Sequence, residues 1–497
     1  MAIATEHFDV LIVGAGISGV SAAYHLQKNC PEKSYAILEA RAEMGGTWDL
    51  FRYPGIRSDS DMFTLGFSFR PWREPKAIVD GPSIKQYVVD TAEEYGIDEK
   101  IRFNHRVTDL SWSSQTATWT VRADNNGEEK TFTCGMLIAC FGYYRYAEGY
   151  APDFDGADAF GGRIIHPQHW PEDLDYTGKR VVIIGSGATA ITLAPSMAAR
   201  AAAVTLLQRS PSYLFSIPAV SPVARFLGRF LPRSFAARLT RWFAIIFQQI
   251  SFKHARAHPE KMKKFLFDKL RKKLNPDFDI DTHLTPHYDP WDQRVCVVPD
   301  DDLYDALNDG AVTMVTNEID AFVEDGVRLK SGETLKADII VTATGLILEF
   351  LGGAKVSVDG RIIEPASLFT YRGVMFSGVP NLVSVFGYTN ASWTLRSDLI
   401  SAYACRLIEH MDKNNVDVAT PTPQDADMTA EPFIDFTSGY VERASKDLPK
   451  QSAAPWRHPQ DYAHDIMQLR FGGFDDGVLV FSRKAEAVEQ ATKKAAE

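Results

Sequence analysis

The sequence has few of the features that mark secreted, membrane-spanning or metal-binding proteins. Its 497 residues include only five cysteines, an odd number without metal-ligand spacing, which predicts reduced thiols and no disulfide framework. Residues 1–8 contain no basic patch followed by an apolar run, and no stretch reaches the roughly 18 apolar residues of a membrane span. We therefore expect a soluble, cytoplasmic protein.

Positive charge is also scarce, because 53 Lys and Arg stand against 64 Asp and Glu for a net charge of −11. Affinity for nucleic acids comes mostly from Lys and Arg that meet phosphates, so we expect small-molecule partners and no nucleic acid.

Residues 225–273 are the exception, because fourteen Lys and Arg against two acids give this segment +12 and leave −23 for the rest. Phe and Leu recur there at helical spacing, which predicts amphipathic helices. Two interpretations stay open: helices that cover a cleft with a solvated basic face, or weak contact with a membrane surface.

Two stretches share one design, a short apolar strand that leads into a glycine-rich turn and then a helix. The strands are predicted at residues 8–13 and 180–184. Further predicted strands alternate with helical patterns at residues 35–38, 136–140, 204–207 and 338–342. This order predicts an α/β fold with parallel sheets, crossover helices and two dinucleotide-binding, Rossmann-like domains.

The residues of the first turn suit a dinucleotide. Gly14 permits a tight turn, Gly16 lets the backbone approach a pyrophosphate, and Gly19 allows close helix packing. The amide of Ser18 would sit beside the phosphates at the helix N-terminus. Twenty residues past Gly19, Glu39 can accept hydrogen bonds from both hydroxyls of a ribose, although a solvated acid at a strand end is the alternative.

The second turn differs at the matching position. Nineteen residues past Ala190 stand Gln208, Arg209 and Ser210, with no acid to bind a free 2′-hydroxyl. Arg209 and Ser210 suit a 2′-phosphate, unless Arg209 is simply a surface arginine. We infer a first site for FAD and a second site for NADPH rather than NADH. The turn of the second site is Gly185, Ser186, Gly187, Ala188, Thr189 and Ala190.

Residues 45–59 connect these units and are too rich in Gly, Pro and aromatic residues for a helix. We expect a shaped loop whose glycines allow close approach to a ring system. Trp48 offers a flat face there, although a Trp in such a loop is also common as packing.

Residues 160–171 carry a specific motif, in which Phe160, Gly162, His166, Trp170 and Pro171 match F-x-G-x-x-x-H-x-x-x-W-P at every fixed position. This motif is the fingerprint of the Baeyer–Villiger monooxygenases, flavoproteins that the chain resembles over most of its length. Residues 45–72, 286–294 and 387–393 are most similar to the bacterial ethionamide-activating subgroup.

The resemblance implies a fold, a reaction and a set of contacts. It implies ketone oxidation to esters or lactones by O₂ through a flavin peroxide, with sulfoxidation as a side activity. His166 and Trp170 would couple the domains, and residues 342–345 resemble the linker that returns to the FAD domain. The implied FAD contacts are Ser18, Glu39, Thr47, Trp48, Asp49, Leu50, Asp59 and Val107. The implied NADPH contacts are Arg57, Ser58, Asp59, the second turn, Arg209 and Ser210.

The resemblance also implies a catalytic cation. Negative charge on a peroxide needs a permanent cation that does not release its proton, a task for which arginine is better suited than lysine. Arg294 matches the catalytic arginine of the family, and Asp59 matches the acid that orients it. Arg52 and Arg57 stay as further contributors, and Gln293 replaces a lysine that is common in the family.

The domain boundaries follow from these motifs. We expect the FAD domain at residues 1–150 and 341–497, the latter with a C-terminal tail. The NADPH domain is expected at 151–340, with a helical insertion at about 221–280.

Three other functions share parts of this pattern. A disulfide reductase needs two cysteines beside the flavin, and the only pair close in sequence, Cys134 and Cys140, would lie roughly 20 Å apart along a strand. A flavin-containing monooxygenase that acts mainly on sulfur or nitrogen is the main alternative. A flavin-binding sensor without turnover is the third.

Overall fold

A computed structural model describes residues 5–424 and 427–484 of the chain. Its strands are β1 (Glu6–Val13), β2 (Tyr35–Leu38), β3 (Ile101–Arg102), β4 (Arg106–Ser113), β5 (Thr118–Asn125), β6 (Glu128–Ala139), β7 (Arg163–Ile165), β8 (Arg180–Ile184), β9 (Ala203–Gln208), β10 (Leu214–Ile217), β11 (Cys296–Pro299), β12 (Val312–Thr316), β13 (Ile319–Val323), β14 (Gly326–Leu329), β15 (Thr334–Lys336), β16 (Ile339–Thr342), β17 (Lys355–Val358), β18 (Arg361–Ile362), β19 (Thr370–Tyr371), β20 (Met375–Phe376), β21 (Leu382–Ser384), β22 (Val418–Pro421), β23 (Glu431–Pro432), β24 (Lys450–Gln451) and β25 (Leu479–Ser482). Its helices are α1 (Ile17–Asn29), α2 (Thr47–Leu50), α3 (Met62–Leu65), α4 (Gly81–Glu94), α5 (Ala188–Ala198), α6 (Pro222–Phe230), α7 (Arg233–Ala257), α8 (Pro259–Leu270), α9 (Ile280–His283), α10 (Asp302–Asn308), α11 (Trp393–Asn414), α12 (Gly439–Ala444) and α13 (Tyr462–Asp465).

The first large sheet has the order β18-β17-β4-β5-β6-β1-β2-β3, and β21 pairs with β6. Strand β1 runs parallel to β2 and β6, and the side chains of its second half, residues 10–13, are buried on both faces. Val10 and Ile12 face the core on the side of α1, whereas Leu11 and Val13 belong to a second cluster on the opposite side. Burial on both faces explains why residues 10–13 are a continuous apolar run, whereas the exposed first half of the strand carries polar residues.

The second large sheet has the order β12-β9-β8-β16-β7, and its pairings are parallel. Strand β8 alternates in the same way, because Val181 and Ile183 join one buried cluster and Val182 and Ile184 join the other. After β16 the chain returns to the first sheet through β17 and β21 and then forms α11, which packs on α1. The expected α/β fold with two nucleotide-type sheets is confirmed.

Helices α6, α7 and α8 lie between β10 and β11, two strands that pair in parallel with each other. The expected helical insertion is therefore present, and α7 is its longest element. Over the residues that the structure describes, no helix is long and apolar enough to cross a membrane. The expected C-terminal tail beyond residue 484 lies outside the described residues.

Two sequence expectations need correction. The first sheet is mixed rather than parallel, because β4, β5 and β6 form an antiparallel meander. Tight turns join these strands, and Trp112 on β4 pairs directly with Trp119 on β5. The segment 45–59 is also not entirely loop, because α2 forms one helical turn in which the Leu50 amide donates to the Gly46 carbonyl at 3.0 Å.

Candidate active site

The first glycine turn has the geometry expected of a nucleotide-binding turn. Gly14 has φ +102°, and a Cβ there would lie 2.4 Å from the carbonyl oxygen of Cys140. A Cβ at Gly19 would lie 1.8 Å from the Gly14 carbonyl oxygen, so the helix packs directly against the turn. The N-terminus of α1 therefore lies at the carboxyl ends of β1 and β6, where open α/β sheets place their ligands.

Glu39 follows β2 at the same edge and is only 4% exposed. Its carboxylate accepts the Ala15 amide at 2.7 Å and the Arg41 amide at 2.9 Å. Burial raises the pKa of Glu39, although these bonds oppose the shift. Each carboxylate oxygen has two lone pairs, so both oxygens keep an acceptor site for a ribose hydroxyl.

The second turn leaves room for a ligand at Gly187. This residue has φ −82°, and a Cβ there would meet no described atom within 4 Å. Neither the backbone conformation nor a neighbouring atom of the described chain therefore requires glycine at position 187. A glycine here instead leaves space for a phosphate to approach the backbone closely. Arg209 and Ser210 follow β9 as exposed residues on the same cavity wall.

Each turn opens into its own cavity. The cavity at the first turn has a volume of about 590 Å³, and the cavity at the second has about 830 Å³. Both are lined by seven shared residues, which are Thr47, Trp48, Arg57, Ser58, Asp59, Tyr144 and Arg294. This shared wall is where ligands in the two cavities would approach each other, and we call it the junction.

Arg294 and Asp59 form an ion pair at the junction, with Nη1 3.2 Å from Oδ2. Burial disfavours the charged guanidinium, but the Asp59 carboxylate and the Tyr143 and Tyr144 phenols raise the pKa of Arg294 well above its ordinary value. The Nε of Arg294 is buried and has no hydrogen-bond partner in the described part of the chain. The junction therefore holds a permanent cation.

Most of the residues singled out in the sequence line a cavity. At the first cavity these are Gly14, Gly16, Ser18, Glu39, Thr47, Trp48, Arg57, Ser58, Asp59 and Val107. At the second they are Thr47, Trp48, Arg57, Ser58, Asp59, Gly185, Ser186, Gly187, Ala188, Thr189, Arg209 and Ser210.

Gly19, Asp49, Leu50 and Ala190 do not line either cavity. Gly19 packs the helix as expected, and Ala190 and Leu50 lie in the second core. The side chain of Asp49 is 2% exposed and pairs with Arg41, Arg52 and Lys85. Salt bridges inside the protein thus hold this carboxylate away from the cavity.

The other two candidate arginines differ from Arg294. Arg52 pairs with Asp49 and Glu172, and it lines neither cavity. Arg57 lines both cavities, but its guanidinium forms a close ion pair with Asp302. Gln293 lines the second cavity and donates to the Thr437 carbonyl at 3.3 Å.

Sequence reasoning missed an aromatic wall. Tyr143 and Tyr144 follow β6 and line the first cavity, and Trp393 stacks on Tyr143 with ring centroids 5.0 Å apart. The Trp393 indole donates to the hydroxyl of Ser18 at 2.8 Å. The signal available for the two tyrosines was their place just after the end of a parallel strand. Trp393 ends the segment 387–393 that resembles the subgroup, but nothing local places it at this wall, because it arrives from 250 residues further along the chain.

The fingerprint segment connects the return linker to the site. The His166 Nε2 lies 3.2 Å from the Gly345 carbonyl, and burial lowers the pKa of His166. Gln168 donates to the carbonyl of Arg145 at 2.7 Å. These contacts join the fingerprint segment to residues 342–345 and to the segment after β6, and the coupling role stays a prediction.

The five cysteines are free and buried. Tertiary packing brings Cys30 and Cys405 together, with the Cys30 sulfur 3.8 Å from the Cys405 carbonyl oxygen, a pairing that the sequence did not suggest. Neither residue lines the two cavities, and the two cysteines that do, Cys140 at the first and Cys296 at the second, stand in different cavities. Among the described residues, no pair of cysteines therefore stands beside a nucleotide site as a disulfide reductase requires.

Comparison with known sequences places the chain in a family. Residues 8–371 match the flavin-binding monooxygenase-like family, and the chain belongs to it. The protein named FAD-containing monooxygenase EthA from Mycolicibacterium smegmatis is 51% identical over 98% of this chain and 100% of its own length. The probable FAD-binding monooxygenase AlmA from Acinetobacter baylyi is 46% identical over 98% of this chain and 99% of its own.

Solved structures share the fold at low identity. An oxidised steroid monooxygenase bound to NADP has a TM-score of 0.76 at 22% identity and covers 96% of this chain and 100% of its own. A cyclohexanone monooxygenase bound to ε-caprolactone has a TM-score of 0.68 at 21% identity, covering 84% of this chain and 91% of its own. The resemblance found in the sequence is confirmed, since the relatives are flavin monooxygenases.

Proposed function

We propose that the protein is an FAD- and NADPH-dependent Baeyer–Villiger monooxygenase that uses O₂ to convert ketones to esters or lactones, with sulfoxidation as a side activity. We also infer that residues 1–150 and 341–497 form the FAD unit and residues 151–340 the NADPH unit. The names of relatives that are 46–51% identical support FAD as the flavin. Bound FAD and NADPH would supply the reducing equivalents and the activation of O₂ that oxygen insertion needs.

The first cavity suits FAD. Glu39 would accept the ribose hydroxyls of the adenosine, and the amides at the start of α1 would hold the pyrophosphate. Trp48, Tyr143 and Tyr144 would bound the space for a ring system. Two features of the first cavity support FAD as its ligand: the cavity lies at the N-terminus of α1, and the buried carboxylate of Glu39 lines it.

The second cavity suits NADPH. Gly187 leaves open space for the pyrophosphate at the start of α5, and Arg209 with Ser210 would bind the 2′-phosphate. Within the described chain the acid that interacts with Arg209 is Glu318, which pairs with Lys330, so the Arg209 guanidinium can still bind a dianion. The preference for NADPH over NADH follows from Arg209 and Ser210, because NADH has no 2′-phosphate for them to bind.

Arg294 carries the proposal. It stands on the wall that both cavities share, it stays protonated, and Asp59 holds it there. Oxygen insertion beside a carbonyl develops negative charge on oxygen, and a preorganised cation in a site of low dielectric stabilises that charge. Asp59 is a positioning residue in this scheme, because its carboxylate fixes the guanidinium at 3.2 Å.

The experiment is product analysis with the purified holoenzyme. NADPH consumption in air would be followed with a panel of ketones and organosulfur compounds, and ester, sulfoxide and hydrogen peroxide would be quantified. We expect ester or lactone from at least one ketone. Sulfoxide without ester across the panel would instead assign the protein to the sulfur- or nitrogen-oxidising branch, and hydrogen peroxide alone would reject both assignments.

A further inference from the structure

Helix α7 carries an apolar stripe that the described chain leaves uncovered. Its side chains recur at helical spacing along one face and are 51–62% exposed; they are Phe235, Trp242, Phe243, Ile246, Phe247 and Ile250. Single exposed apolar residues are ordinary on a protein surface, but a continuous row of aromatic and branched side chains marks an interaction surface.

The opposite face of α7 holds this stripe in place. Arg241 is buried there and donates to the carbonyls of Phe63 at 2.7 Å and Gly66 at 2.6 Å. Gln248 donates to the carboxylate of Asp61 at 2.7 Å. Rotation of the helix would break these buried bonds, each of which is costly to leave unmade. The stripe is therefore a fixed feature of the surface.

Helix α6 extends the apolar surface. Phe226 and Phe230 are 65% and 69% exposed, and their ring centroids lie 5.3 Å apart. Helix α6 packs against α7 across a short connection, so the two helices present their aromatic side chains from one helical pair. We call α6 and α7 together the α6–α7 surface.

A basic cavity of about 610 Å³ lies beneath these helices. Four arginines line it, namely Arg73, Arg225, Arg229 and Arg233, and Glu74 is the single acid in its lining as far as the structure describes the chain. Within the described ranges none of these four cavity-lining arginines forms an ion pair. A cluster of unpaired arginines is suited to phosphate, because each guanidinium can donate two parallel hydrogen bonds.

The charge distribution indicates which partner fits. Segment 225–273 carries +12, whereas the rest of the chain carries −23. A second copy of the chain bound face to face would place the arginines of one copy against those of the other, which is unfavourable. An anionic bilayer attracts this segment, repels the remaining surface and accepts aromatic side chains at its interface.

We propose that the α6–α7 surface docks the protein on membranes that contain anionic phospholipids. The apolar stripe of α7, together with Phe226 and Phe230, enters the interfacial layer, and the arginine cavity receives lipid headgroup phosphates. The attachment is peripheral and reversible, because the helices lie along the surface and do not span the bilayer.

The test is sedimentation of the full-length holoenzyme with vesicles. An equal mixture of phosphatidylglycerol and phosphatidylcholine is compared with phosphatidylcholine alone, each at low and high salt. We expect binding to the anionic vesicles at low salt, weak binding to phosphatidylcholine, and release by salt because surface charges are then screened.

Two triple variants separate the apolar and basic contributions. Trp242→Ser, Phe247→Ser and Ile250→Ser together should lower the partition constant by about 100-fold, since three apolar side chains no longer enter the interface. Arg225→Gln, Arg229→Gln and Arg233→Gln should together lower it by about 100-fold on anionic vesicles.

Matched controls replace equally exposed residues elsewhere. The apolar control is Ile362→Ser, Met467→Ser and Phe471→Ser, and the charge control is Lys100→Gln, Arg122→Gln and Lys355→Gln. Both controls should bind vesicles as the wild type does. Circular dichroism and urea unfolding would show that each variant is folded, which we expect because the replaced side chains are exposed or line an open cavity.

Three results would overturn the proposal. The first is a wild-type chain that stays in solution with anionic vesicles. The second is equal loss of binding in the controls and the α6–α7 variants. The third is a vesicle-free dimer, detected by sedimentation velocity, that the apolar triple variant dissociates, because the surface would then be an interface between copies. Each readout is independent of catalysis, so failure here leaves the proposed function unchanged.

Discussion

Arg294→Met removes the cation at the junction while it keeps much of the stem volume of the side chain. The substitution also frees Asp59, whose carboxylate is 35% exposed toward the cavity and can be solvated there. The Nε of Arg294 has no partner among the described groups, so its loss leaves no protein acceptor unsatisfied. We therefore expect a folded protein that still binds FAD.

The size of the effect follows from the charge. A unit negative charge about 4 Å from a guanidinium is stabilised by about 4 kcal/mol at an effective dielectric constant near 20. That energy corresponds to a rate factor of about 10³. Asp59 offsets part of the positive charge, so we expect ester formation to fall by about 10² to 10³, the range measured for loss of other preorganised donors.

The assay separates reduction from oxygen insertion. The variant would be reduced without air by NADPH or by dithionite, and oxygen would then be admitted with a ketone that the wild type oxidises. Ester and hydrogen peroxide would be measured together, and we expect hydrogen peroxide in place of ester. Arg52→Met is the matched control, since Arg52 pairs with Asp49 and Glu172 outside both cavities.

Ester formation near the wild-type rate in Arg294→Met would refute the reasoning and shift attention to Arg57. Loss of FAD or of the fold would show that Arg294 is structural instead. Asp59→Ala should reduce ester formation less than Arg294→Met does, because it releases the guanidinium without removing it.

Three further predictions follow from the described contacts. Arg209→Ala should raise the KM for NADPH with little change in kcat, because a 2′-phosphate contact acts equally in ground and transition states. The KM for NADH should stay unchanged. Equal kcat/KM values of the wild type for NADPH and NADH would contradict the assignment of Arg209 to the 2′-phosphate. Glu39→Gln keeps an acceptor for the Ala15 amide but loses the charge, so bound FAD per chain should fall, as measured by absorbance after gel filtration. Arg396→Met leaves the Asp465 carboxylate without its cation in the core, where both side chains are 0% exposed and only the Tyr388 hydroxyl still donates to Asp465 among the described side chains. The free energy of unfolding in urea should fall by about 3–5 kcal/mol. A change below about 1 kcal/mol would show that the ion pair is not needed.

The candidate site divides into parts of local and distant origin. The two glycine turns, Glu39 and Arg209 could be located from the sequence, because each belongs to a contiguous strand–turn–helix unit of about 30 residues. Arg294 could be found only through a motif match, and its own neighbours in sequence do not distinguish it from a surface arginine. Folding brings it to Asp59 across 235 residues.

The sequence by itself determined the α/β class and the two nucleotide units, because apolar periodicity and glycine spacing act within short segments. Only the tertiary structure decided that β4, β5 and β6 form a meander, that Trp393 stacks on Tyr143, and that Asp49 is held by salt bridges away from the cavity. It also decided which face of α7 is buried. These outcomes depend on contacts between residues that are far apart in the chain. Such contacts form only when the whole chain buries its apolar side chains and pairs its strands, so no local sequence pattern encodes them.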